Sequence, residues 1–318
     1  MQPRTVAAQV DARKAFLVGL AIAVAGAVLF STKAIVAKLI YRYPVDAVTL
    51  IAFRMVFSLP FFAAIALWQA RVSQPLTGVE RIKIVLLGLI GYYVSSFLDF
   101  LGLQYISAGL ERLILFLTPS FVLLISIGFL KKRISALEWV ALGVSYLGTI
   151  LVFLHDASRG GPNVMLGAGF VLGSAITYAL YLLYSGEMVR RVGAMRLVAY
   201  AMCVSSAACI LQFLLLRPLA MLQQPPAVYG LSFFNAVFCT VLPVFMTMVA
   251  VSRIGAGTAS QAGMIGPVST LFLGALILDE PVTAVQLGGT ALVLCGIYLL
   301  SKKKASHAEA FTQSAKDR

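Results

Sequence analysis

An all-α membrane protein of ten transmembrane helices, arranged as two inverted five-helix repeats, is the fold this sequence predicts. Three observations carry the expectation. Of 318 residues, 60% are hydrophobic and 12% charged, about half the charge of a soluble domain; the mean hydropathy is +0.95. The apolar residues gather in continuous runs of about 20, the length of helix that crosses roughly 30 Å of hydrocarbon. The second half of the chain then repeats the first, with Pro119 falling on Pro267.

The runs are continuous rather than alternating, so helices and not barrel strands satisfy the backbone in lipid. The first, 16–40, is too long for a signal peptide. No small-residue cleavage site follows it, so it reads as a retained helix. The others fall at 47–69, 82–104, 108–130, 136–154, 164–187, 196–217, 227–251, 257–278 and 283–301. Arg159-Gly160-Gly161-Pro162-Asn163 is the most loop-like stretch and divides the chain. Residues 1–15 then form an N-terminal segment, 16–158 the first repeat, 164–301 the second, and 302–318 a polar tail.

A net charge of +13 raises the question of nucleic acid, and position answers it. The basic residues cluster between apolar runs, and no basic face with reading side chains exists on a soluble fold. One side of the membrane receives Arg13 and Lys14, then Arg71, Arg81 and Lys83, then Lys131, Lys132 and Arg133. It also receives Arg190, Arg191, Arg196, Arg253 and Lys302 to Lys304; the other side holds Arg42, Arg159, Arg217 and the acidic pair Asp279-Glu280. The positive-inside rule makes the first side cytoplasmic, with both termini on it, in an inner (plasma) membrane protein. The four cysteines lie inside apolar runs without metal-ligand spacing, and His155 and His307 fall in a loop and in the tail. No metal, cofactor or catalytic group is therefore expected.

At the offset of Pro119 from Pro267, Gly109 falls on Gly257, Leu123 on Leu271, Ala136 on Ala284 and Gly148 on Gly296, without a gap. Glycine and proline in register are informative, because each marks a particular backbone event. Five helices per copy turn the second copy upside down, the construction of alternating-access transporters.

The segment Ala256-Gly257-Thr258-Ala259, then Pro267, then Leu278-Asp279-Glu280-Pro281-Val282-Thr283 and Gln286-Leu287-Gly288-Gly289 resembles the closing signature of EamA-type carriers of the drug/metabolite transporter superfamily. The first copy departs from it: Lys131-Lys132-Arg133 stands where the family often has an acidic residue. The resemblance implies carrier function, with export as its direction, and little about cargo.

Ionisable residues inside spans are costly and mark functional sites by default. The first copy holds Lys33, Arg54, Asp99, Glu111 and Arg112, at similar depth in the outer half of the membrane. Their counterparts in the second copy, Tyr181, Met202, Thr247, Ala259 and Ser260, carry no charge. In one reading Lys33, Arg54 and Arg112 hold an anionic group, while Asp99 or Glu111 meets a cationic group or exchanges a proton. In the other the charges pair among themselves, for example Asp99 with Arg54, and fix helix packing. Lys38 lies near enough to the interface to snorkel.

Tyr92, Tyr93, Phe97, Tyr178, Tyr181 and Tyr184 offer aromatic contact to cargo or packing, and Gln261 and Asn235 read as buried amides. Pro119 and Pro267, in matched places, are candidate hinges, one for each gate. No nucleotide-binding loop occurs, so the expected energy source is an ion or solute gradient. The expectation is an alternating-access secondary transporter. It exports a small anionic or amphoteric, amino-acid-like metabolite with proton coupling. Rivals are an uncoupled facilitator or channel, and a membrane enzyme or scaffold. Its partners are the small-molecule substrate and the lipid bilayer, and no nucleic acid. Gly289 and Cys295 form no Gly-xxx-Gly pair in the last span, so the small residues of 257–278 and 283–301 mark close packing and leave a homodimer open.

Overall fold

The structure is a computed structural model that describes residues 3–130, 135–159 and 163–299; nothing is described for the side chains of 3–14, 129, 130, 159, 256, 257 and 260. The Lys131-Lys132-Arg133 cluster, the Gly160-Gly161-Pro162 break, His307 and the tail 302–318 lie outside the described residues. Every regular element among the described residues is helical.

The first copy comprises α1 (Pro3–Ile40), α2 (Ala47–Val72), α3 (Gly78–Gly88), a π-helical turn (Leu89–Val94), α4 (Ser95–Leu103), α5 (Ala108–Leu115), α6 (Thr118–Leu130) and α7 (Ala136–Arg159). The second comprises α8 (Val164–Val192), α9 (Ala194–Leu216), α10 (Pro226–Ala236), a π-helical turn (Val237–Val241), α11 (Leu242–Ala262), α12 (Ile265–Leu278) and α13 (Ala284–Leu299). Polar residues start the helices where sequence chemistry expects them. Asp46 caps α2 by accepting from the Thr49 N–H at 3.0 Å. Thr77 and Glu80 close a reciprocal capping box on α3, and Ser107 accepts from the Leu110 N–H at the start of α5.

Eight described helices are long and apolar enough to cross a membrane, and Ile265–Leu278 and Ala284–Leu299 are shorter apolar helices. The ten spans expected thus correspond to eight long helices and two shorter ones. Non-helical Gly255, at φ 78°, falls between the spans expected at 227–251 and 257–278, and the second of these is cut where α11 ends and α12 begins. Its counterpart in the first copy is cut likewise, between α5 and α6. Pro119 and Pro267 sit just past these breaks, as the second residue of α6 and the third of α12. There the missing N–H would have had no helical partner, so proline begins a second helical segment rather than kinking a continuous helix. His155, expected in a loop, lies on α7, which runs on to Arg159.

The two copies pack with reciprocal contacts. A Cβ on Gly19 would stand 2.6 Å from the Ile254 Cγ2, and one on Gly167 would stand 2.8 Å from the Ile106 Cγ2. On α7 and α13, Gly148 lies against the Gly289 carbonyl, and Gly296 against that of Ala141. In each pair, both partners shift by the repeat offset and exchange copies, which is the mark of a two-fold relation. The π turns begin at equivalent residues, Leu89 and Val237. Pro243 follows one of them, but Ser95 holds the equivalent place in the other, so proline is not their common cause.

Candidate functional site

The core of the first copy encloses charge. Lys33 on α1 lies 2.5 Å from the Asp99 Oδ2 on α4 and 3.4 Å from the Glu111 Oε1 on α5. All of Lys33, Arg54, Asp99, Glu111 and Arg112 are buried, Glu111 completely. Two aromatic rings bind the group together. The Lys33 ammonium and the Arg112 guanidinium lie over Phe30 at 5.3 and 5.0 Å, and Lys33 and Arg54 lie over Phe100 at 5.4 and 5.0 Å. Cations over ring faces regain part of the hydration they lose on burial.

The alternative pairing of Asp99 with Arg54 is replaced. Asp99 takes Lys33, while the Arg54 Nε donates to the Thr240 Oγ1 at 2.8 Å. Thr240 stands in the second π turn and donates to the Asn235 carbonyl at 3.0 Å. The Asn235 amide, fully buried, donates to the Lys33 carbonyl at 3.3 Å. The π turn thus links α1, α2 and α10 through polar groups. Such turns concentrate at functional sites because they misalign the helical ladder. Arg112 rests on α12, where a Cβ at Gly266 would stand 2.6 Å from its Nη2. Glycine beside Pro267 therefore seats the guanidinium.

Pairing leaves much unsatisfied. The Arg54 Nη1, the Asp99 Oδ1, the Arg112 Nε and both Glu111 oxygens are buried without a hydrogen bond. Three cations and two anions lie here in low dielectric. A purely structural cluster tends to satisfy such atoms, since each buried and unpaired one costs about 1–3 kcal/mol.

The aromatic candidates separate. Tyr92, Tyr178 and Tyr181 form a cluster in which Tyr181 is buried and the other two half-buried, with the Tyr92 and Tyr181 hydroxyls 3.3 Å apart and the rings of Tyr178 and Tyr181 stacked at 5.6 Å. Gly91 admits it, for a Cβ there would meet the Tyr181 Cγ at 2.3 Å. Phe97 packs beside Val48, Ala52 and Phe213, apart from the three tyrosines, and Tyr184 is exposed.

Gln261 corrects the expectation of a buried amide: it is exposed. Its counterpart Leu113 is buried. Likewise Asp99 is buried and Thr247 exposed, and Leu103 is 0% exposed where Val251 is 38%. The matching faces of α4–α5 and α11 thus differ at these positions, whereas Tyr181, Met202 and Ala259, the counterparts of Lys33, Arg54 and Glu111, are buried likewise. The first copy closes over its charged layer where α4 meets α5, and α11 leaves Thr247, Val251 and Gln261 uncovered.

Sequence reasoning found the five charges but not Thr240, Phe30, Phe100 or Gly266. Only Thr240 had a faint signal, as a polar residue near Arg54 in depth.

An all-helical, multi-pass bundle of two copies with polar groups enclosed at its centre defines a membrane transporter. Its residues 17–154 and 165–302 both match the profile of the EamA-like transporter family, and the chain belongs to that family. It is similar to the uncharacterised transporter YcbK of Bacillus subtilis (strain 168), at 31% identity over 86% of this chain and 90% of the relative. It also resembles an uncharacterised transporter of Archaeoglobus fulgidus, at 27% identity over 70% of this chain and 78% of that one. A solved crystal structure superposes with a TM-score of 0.62 at 17% identity, covering 90% of this chain and 98% of that one. At that identity the likeness is one of fold.

Proposed function

We propose that the chain is an alternating-access carrier that exports a small anionic or amphoteric solute across the plasma membrane, with both termini cytoplasmic. One observation carries this reading. A charged layer is sealed in the first copy, while on α11 the residues matching Asp99, Leu103 and Leu113, namely Thr247, Val251 and Gln261, are exposed. A two-fold-related pair of half-paths, one shut and one open, is what alternating access requires at any instant.

Arg54, Arg112 and Lys33 hold the anionic group, and their partial pairing leaves donors for it. Asp99 and Glu111 share Lys33, so a proton taken up by one acid leaves the lysine a single carboxylate and loosens its hold for cargo. That exchange couples transport to a proton gradient. Tyr92, Tyr178 and Tyr181 line the inner approach, and the breaks before Pro119 and Pro267 let the cytoplasmic segment α6 and the outer segment α12 swing, one for each gate.

The test is flux of an unlabelled metabolite mixture from proteoliposomes, read by mass spectrometry, with and without an imposed pH gradient. Gradient-driven flux of an anionic or amphoteric solute is expected. Arg54→Ala should lower it at least about tenfold, the effect of one charged hydrogen bond of roughly 1.5–3 kcal/mol. Flux that ignores the gradient would favour the uncoupled facilitator. Full flux in Arg54→Ala with weakened folding would make the layer a packing device.

A further inference from the structure

A second cavity lies outside the charged layer, at the outer ends of α1, α4 and α12. It measures about 350 Å³ and is lined by Lys38, Tyr41, Arg42, Gln104, Leu278 and Glu280. That volume suits a small solute rather than a few waters.

Its charges are unevenly committed. Glu280 caps α5, accepting from the Ala108 N–H at 3.2 Å. The nearby Asp156 accepts from the Ser107 hydroxyl at 2.6 Å, and Asp46 is engaged by the Arg217 Nε at 2.5 Å. Those three acids are therefore occupied, while the exposed Asp279 has no cation within ion-pair distance among the described residues. Among the described residues, neither Lys38 nor Arg42 has a carboxylate within ion-pair distance. Two cations thus border the cavity with no acid paired to them. Gln104 adds an amide and Leu278 an apolar wall.

The cavity also adjoins the layer. Tyr41, in its wall, donates to the Phe100 carbonyl at 2.7 Å, and the Phe100 ring is the one beneath both Lys33 and Arg54. Tyr41 thus ties the cavity wall to the residue that underlies both cations.

We propose that this vestibule is a second binding site, taking small carboxylates between Lys38 and Arg42, with Glu280 at its rim for a cationic tail. Arg42 supplies the planar fork that suits a carboxylate, and Lys38 a point charge. Its place as the outer station of a transport path rests on the carrier reading; its preference for carboxylates does not.

Gln104→Cys places a thiol in the wall. The purified full chain is treated with anionic 2-sulfonatoethyl methanethiosulfonate and with the cationic trimethylammonium analogue, and the unsubstituted protein gives the background from the native cysteines. The anionic reagent should react about three- to tenfold faster, since a cationic cleft concentrates anions. Millimolar acetate should slow it where choline does not. Adding Arg42→Gln or Lys38→Gln should remove both the preference and the protection, with the variants checked as monodisperse. Equal rates for the two reagents, or protection that survives both substitutions, would overturn the site. If flux is absent yet the selectivity remains, the vestibule stands and the carrier reading falls. Arg54→Ala should leave the labelling pattern unchanged, and its loss there would show the layer and vestibule to be one site.

Discussion

Lys33 stands between two buried carboxylates, and that position decides what its loss does. Lys33→Met leaves Asp99 and Glu111 enclosed without the ammonium they share, a change that costs roughly 3–5 kcal/mol when a buried pair is broken from one side. Adding Asp99→Asn should recover part of the loss, so the two substitutions are expected to be strongly non-additive in thermal unfolding of the purified protein. Strict additivity would mean that the pair is not coupled. Gly91→Ala tests another close approach. Its methyl would enter the Tyr181 ring, so a loss of about 1–3 kcal/mol is expected, relieved when Tyr181→Leu removes the ring. The charges themselves were legible, because an ionisable residue in an apolar run stands out at once. Phe30 and Phe100 were not, since a phenylalanine beneath a cation has the same sequence signature as one facing lipid.

At the scale of elements, the outer caps set the response to pH. Part-burial pushes the Asp46 carboxyl up, but the Thr49 and Arg217 hydrogen bonds and the arginine charge outweigh it and hold the group below the ordinary 3.8. A depressed acid contributes stability above its unfolded value, and that contribution is lost as pH falls through the folded one. Glu280 has the opposite sign. Burial raises it above 4.5 despite the Ala108 N–H and Lys38. It favours the fold below its unfolded value, and that contribution is lost as pH rises through the folded one. Stability measured from pH 3 to 7 should therefore rise less steeply with pH in Asp46→Asn than in the unsubstituted protein. In Glu280→Gln it should rise more steeply. Identical slopes in either variant would deny its acid this role. Most spans were readable from hydropathy. The π turns and the breaks before Pro119 and Pro267 were not, because they come from how helices meet, and apolar runs continue through them unchanged.

The whole molecule is two copies of one design in unlike states. Cysteines at positions 251 and 261, on open faces, should react quickly with a soluble thiol reagent, while cysteines at their counterparts 103 and 113 should be protected. A condition that drives the carrier to its other state should invert the ranking. Equal reactivity at each pair would remove the asymmetry on which the carrier reading rests. The repeat was visible in the sequence through its matched glycines and prolines. Its unequal burial was not, since conformation is a property of the assembled chain and the same two copies would spell either state.

The two π turns begin at equivalent residues, and the copies align across them without a gap. Each turn holds one residue more than the helical ladder would use. Had either arisen alone, that extra residue would have thrown the flanking glycines and prolines out of step. The register therefore depends on both bends together: glycine meets glycine and proline meets proline only while each five-helix half keeps its own extra residue.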